Sequence, residues 1–151
     1  MRIAVPVVLI NPFPSRSQTL KASINRLLKH LLKKAADFYN KTLKLNNVAN
    51  AYLSKRDINQ TMIETFQIGL ANDSWDDLTK IFTKDKVIEN ALEAGLLIKS
   101  NNKIYDRFRN RIMFPIRNST GNIIGFGGRI FNQQDGAKYL NSPETKLFHK
   151  S

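Results

Sequence analysis

The hydrophobic period of this chain changes once, at Gly95, and that change sets its class. Before it, apolar residues recur at three- and four-residue steps, the spacing of helices buried on one side. Leu20, Ile24, Leu27, Leu28, Leu31, Leu32, Ala35, Phe38 and Tyr39 predict a long helix over residues 20–45. Lysines and arginines fill much of its remaining surface, and Ser17 or Thr19 is the expected N-cap. Ile58, Met62, Ile63 and Phe66 predict a short amphipathic helix with Gly69 as a turn behind it. Trp75, Leu78, Ile81 and Phe82 predict the buried side of another helix, capped from Ser74, with Trp75 in the core. Asp85 is the expected cap of a third, with Val87, Ile88, Ala91 and Leu92 inward and Gly95 at its C′ position. After Gly95 the spacing is that of strands. Residues 96–98 and 103–105 flank the turn pair Asn101-Asn102, and residues 111–117 and 123–131 read as a hairpin joined through 118–122. Pro115 inside the first of these strands calls for an edge position or a bulge. The fold class expected is α+β, N-terminal helices followed by a small antiparallel sheet.

At 151 residues the chain fits one domain, or one domain with a loose arm. It has no cysteine, which excludes disulfides and Cys-based zinc sites, and its two histidines do not suggest a His-rich metal site. The charge is more informative. Lys and Arg number 24 against 12 Asp and Glu, a net +12. The excess is segregated: residues 1–56 carry net +10, 57–98 net −5 and 99–151 net +7. Fields of one sign attract polyanions. The short apolar run over residues 3–10 contains Pro6 and lacks a small-residue cleavage site after it, so a tail or one added strand is expected rather than a signal peptide. The basic 20–45 helix has the form of a membrane-surface helix, but reads better as a core helix with a solvated lysine face. No lipidation signal or spanning segment is present.

The residues from Tyr105 onward read YDRFRNRIMFPIRNSTGNIIGFGGRIFNQQDGAKYLNSPETKLFHKS. Gly125-Phe126-Gly127-Gly128 is no P-loop, because no Gly-Lys-Ser/Thr follows. Ser119 and Ser142 lack a His-Asp arrangement, and no Asp-x-Asp pair occurs. What remains is contact chemistry. Arg107, Arg109 and Arg111 alternate, and in a strand they would share a face along a phosphate backbone. Arg129 follows glycines that allow close backbone approach. Lys138, Tyr139 and Asn141 offer a cation, a ring and an amide, a set suited to single strands whose bases reach a ring. Tyr139 in the core, and arginines on a merely solvated face, are the bland alternatives.

RNRIMFPI, GFGGR and YLNSPET, in this order and spacing, resemble bacterial DnaG-type DNA primases. The likeness extends more weakly through AADFYNKTL, AYLSKRDI, FQIGLANDSWDDL and ALEAGLL, so it covers residues 22–151 and leaves 1–21 as an unassigned arm. The resemblance implies the N-terminal subdomain of the RNA polymerase core, one wall of a basic groove for single-stranded template and the RNA–DNA hybrid. It implies template-holding roles for Arg56, Arg129, Lys138, Tyr139 and Asn141. It also implies a cytoplasmic replication protein, with a Toprim-containing fragment and the replicative helicase as partners. The Mg²⁺ or Mn²⁺ of that chemistry belongs to the Toprim subdomain and the zinc to an N-terminal module. Neither is in this sequence, so no catalytic or metal-binding residue, and no cofactor, is assigned to it. The competing reading is a stand-alone binding protein for single-stranded nucleic acid. Two departures stand out: Asp57 where the family usually has glycine after the arginine, and Ala137 where proline commonly precedes the lysine.

Overall fold

The computed structural model describes residues 13, 15–132 and 136–150. The expected arm over residues 1–21 therefore lies largely outside the described residues. Helix α1 (Arg16–Lys44) starts earlier than its apolar stripe. Ser15, rather than Ser17 or Thr19, caps it: the Gln18 N–H donates to Ser15 Oγ (3.1 Å) and the Ser15 N–H to Gln18 Oε1 (2.9 Å). This reciprocal capping box satisfies two of the free donors at the helix start. Leu28, Leu31, Leu32, Ala35, Ala36, Tyr39 and Leu43 are its buried stripe, as the period predicted. No helix among the described residues is long and apolar enough to cross a membrane.

Two short helices follow, α2 (Asn47–Ser54) and α3 (Gln60–Phe66), each capped by an asparagine, Asn46 and Asn59. The sequence reading missed α2, whose eight residues bury only Ala49 and Leu53. In α3 only Ile63 is buried, while Phe66 is 60% exposed. Gly69 is not a turn. It opens strand β1 (Gly69–Ala71), which pairs antiparallel with the start of the hairpin. Helix α1 crosses the strand so closely that a Cβ on Gly69 would sit 2.5 Å from Tyr39 Cβ, so only glycine fits.

Helices α4 (Asp77–Lys84) and α5 (Ile88–Glu93) are present, but neither is capped as expected. Ser74 and Asp85 cap nothing; Asp85 ends α4 and pairs with Lys34 of α1. Trp75 precedes α4 and is 61% exposed instead of buried. Gly95 does sit at the C′ position of α5 with φ 75°. The N–H groups of Gly95 and Leu96 close the helix on the Leu92 and Ala91 carbonyls.

Strands β2 (Leu97–Ser100) and β3 (Lys103–Asp106) form a separate hairpin turning at Asn101-Asn102, both at positive φ. Strands β4 (Arg111–Arg117), β5 (Ile123–Ile130) and β6 (Tyr139–Asn141) join β1 in an antiparallel sheet of order β1-β4-β5-β6. Strand β1 covers β4 only as far as Met113, so Pro115 lies where β4 is an edge, next to a register shift at Ile116/Arg117. One core packs α1, α4 and α5 on the sheet around Phe82, Phe108, Met113 and Phe126. A second lies on the other face, where Leu53 and Ile63 cover Leu70 and Ile112.

Candidate nucleic-acid interface

Pairing across the sheet sets two rows on the face that α1 does not cover. Leu70, Ile112, Arg129 and Tyr139 form one, and Phe114, Gly127 and Asn141 the next. Leu70 and Ile112 are roofed by α2 and α3; Tyr139 is open, at 61% exposure. Helix α2 brings Tyr52 down at the boundary, its ring edge-on to Phe131 at 5.2 Å. Arg129 Nε donates to Tyr52 Oη at 3.0 Å, and its Nη1 donates to Tyr139 Oη. Two residues past the end of α2, in the turn that follows it, the Arg56 guanidinium lies 3.8 Å from the Tyr52 ring centroid. Arg56, Tyr52, Arg129 and Tyr139 thus form a series of cation, ring, cation, ring. Neither arginine has a carboxylate partner among the described residues. Both charges are held by rings, with their remaining donors free for an anion.

Beside this series Gly127 leaves the face open: a Cβ there would meet only Asn141 Oδ1, at 3.2 Å. Lys138 is exposed, and its carbonyl accepts from the Ile130 N–H at 2.9 Å. The structure therefore brings Arg56, Arg129, Tyr139 and Asn141 onto one face with Lys138 at its margin. Tyr52 was not foreseen. Its contact with Arg56 forms where the chain turns after the end of α2, a place that side-chain spacing alone does not mark.

Arg107, Arg109 and Arg111 do not form a shared strand face, because β4 begins only at Arg111. Arg111 is buried, and its Nη1 donates to the Gly128 carbonyl (3.2 Å) and the Lys138 carbonyl (3.5 Å), tying β5 to the approach of β6. Arg107 Nη2 donates to the Asn141 carbonyl at 2.6 Å, while its Nε is buried with no partner. Burial lowers the pKa of both guanidinium groups, and a neighbouring arginine lowers each further, Arg111 for Arg107 and Arg109 for Arg111. Arg109 lies 3.9 Å from the Trp75 centroid and 5.3 Å from that of Tyr105. That stack is why Trp75 stays at the surface.

Asp106, at the end of β3, is buried. It accepts from the Leu78 N–H (2.9 Å), the Thr79 N–H (2.9 Å) and Thr79 Oγ1 (2.7 Å), filling the cap of α4 that local residues leave empty. Burial raises its pKa, and these hydrogen bonds oppose the rise. With both oxygens engaged it is a structural group. Among the described residues no three His, Cys, Asp or Glu side chains gather as metal ligands. The oxygen donors of the described residues do not fit a catalytic Mg²⁺ or Mn²⁺.

A family model for the N-terminal domain of the DNA primase catalytic core matches residues 38–151. The chain belongs to that family. This primase-core chain is 44% identical over 133 residues to the DNA primase of Legionella pneumophila, an overlap of 87% of this chain and 22% of the relative. It spans about a fifth of the length of the curated primases it matches. Its fold superposes on the DnaG primase catalytic domain bound to ssDNA with TM-score 0.78 and 41% identity, over 85% of this chain and 41% of that one. The RNA polymerase domain of Mycobacterium tuberculosis DnaG, solved with a double-stranded DNA oligomer bearing a 6-nucleotide overhang, gives TM-score 0.76 and 35% identity over 82% and 40%. The α+β class read from the sequence is that of these primase cores.

Proposed function

We propose that this chain is the template-holding wall of a bacterial DNA primase core, binding single-stranded DNA and the primer–template hybrid through the open sheet face. The observation that carries the reading is the Arg56–Tyr52–Arg129–Tyr139 series beside Gly127. It offers phosphates two cations that are not paired with a carboxylate and offers bases an exposed ring. Asn141 and Lys138 extend the same surface. DNA complexes of two similar primase domains support the assignment. Nucleotidyl transfer requires clustered metal ligands, so in this reading a Toprim-containing segment supplies the chemistry and this chain supplies the strand's path. The helicase is a partner of the whole primase in the same reading.

Fluorescence anisotropy with labelled oligothymidylate tests it. If about four phosphates are neutralised, log K should fall against log salt with a slope near −3, from roughly −0.7 per phosphate. Tyr139→Ala should weaken binding by roughly 1–3 kcal/mol if a base stacks there. The fold should survive that change, since the ring is largely exposed. A salt-independent affinity, or Tyr139→Ala binding like the parent, would overturn the reading.

A further inference from the structure

Two unassigned clefts lie beyond Phe114, and Arg117 lines both. The first, about 640 Å³, opens between α3 and the free edge of β4, with Ile58, Met62, Phe66, Phe114 and Pro115 on its walls. It is apolar, yet Phe66 is 60% exposed and Met62 37% exposed. The second, about 440 Å³, is basic and lies between α1 and the β4–β5 turn, lined by Arg26, Lys29, His30, Lys33 and Arg117. Its nearby carboxylate is Asp37, which pairs with Lys33 at 3.3 Å and accepts from Gln67 Nε2 at 2.6 Å. Arg117 donates to the Gly121 carbonyl and to Gln67 Oε1, which holds its guanidinium at the junction of the two clefts.

We infer that this pair of clefts is a second subsite for the same strand: the apolar cleft takes one unstacked base, and Arg117 with the α1 cations takes the phosphates that follow. The inference rests on the proposed binding of single strands by the sheet face. Continuity argues for it. Phe114 is the cross-strand neighbour of Gly127, which pairs with Asn141, so the cleft begins where the row of the open face ends. Ile58 and Phe114 pack in the same cluster as Tyr52, the ring that holds Arg56 and Arg129. Charge argues for it too. An apolar cleft alone would suit a peptide, but one bounded by several cations on a chain of net +12 suits an aromatic group carried on a polyanion.

The test uses the full chain with oligothymidylates of 4 and 12 nucleotides, read by anisotropy. Two variants probe the subsite: Phe66→Ala, and the double variant Arg26→Glu with Lys33→Glu, all at exposed positions. Each should weaken 12-mer binding, Phe66→Ala by roughly 5- to 100-fold as a lost stacking contact, and leave 4-mer binding within about twofold. The charge variant should also flatten the 12-mer salt slope by roughly 0.7 per lost phosphate contact. Circular dichroism and thermal melting of both variants confirm that the fold is intact. Tyr139→Ala should weaken both lengths. If Tyr139→Ala acts at both lengths while neither subsite variant changes 12-mer binding, the subsite is wrong and the sheet-face reading stands. If no variant matters at either length, the sheet-face reading fails first. A folded Phe66→Ala that weakens both lengths equally places Phe66 in the first site and overturns the second.

Discussion

Single residues in this fold carry strain or an unmet bond that substitution can expose. Asp57 adopts the left-handed region at φ 60°, a conformation that favours the glycine which the family resemblance implied for this position. Asp57→Gly removes a strain of about 1 kcal/mol, partly offset by the freer unfolded chain. It also removes a negative charge next to Arg56. The expected outcome is unchanged or slightly higher thermal stability with tighter DNA binding, most visible at low salt by anisotropy. Tyr39 is buried with its hydroxyl unpartnered, and burial, ahead of the charges of Asp106 and Asp77, drives its pKa well up. Tyr39→Phe keeps the edge contact to Phe126 at 5.4 Å and should be neutral or stabilising by roughly 1 kcal/mol in urea unfolding. For Asp106 the folded pKa lies above the ordinary 3.8, so folding favours its protonated form. Its contribution to stability is therefore full below that ordinary value and declines as pH rises through the raised one. Carboxyl carbon shifts in an NMR titration should show the Asp106 midpoint above 3.8.

Among the elements, those with a strong period were legible and those positioned by partners were not. The stripe of α1 and the β4–β5 hairpin follow from side-chain spacing alone, and Pro115 sits at an edge because a missing N–H is tolerated only there. Strand β1 has three residues and no alternation, since both of its faces are covered. Gly69 looks like a turn until α1 is seen crossing it. Gly69→Ala is accordingly expected to destabilise by roughly 1–3 kcal/mol or to displace α1, measured as a drop in the denaturant midpoint. The site was legible to a similar degree. The residue types of Arg129, Tyr139 and Asn141 pointed to contact chemistry and the family resemblance added Arg56, whereas Arg111 looked identical to an exposed arginine. Its burial depends on the carbonyls of Gly128 and Lys138, which no local pattern announces. Trp75 was misplaced for the converse reason: helical spacing suggested an inward face, but the helix starts two residues later and the indole is held outside by Arg109.

At the scale of the molecule, segregated charge meets a closed architecture. The acidic middle of the sequence supplies α4 and α5, which lie with α1 in the first core, while Arg129 of β5 stands on the opposite face. The same partition brings distant segments into dependence on one another. The first turn of α4 is capped by Asp106, 28 positions further along the chain from Leu78. At roughly 5–20 residues per second, a ribosome adds those residues in about 1–6 seconds. For that interval the nascent α4 has no cap of its own to hold its first turn. The hairpin that carries Asp106 then supplies the cap, so the first turn of α4 depends on a segment synthesised after it.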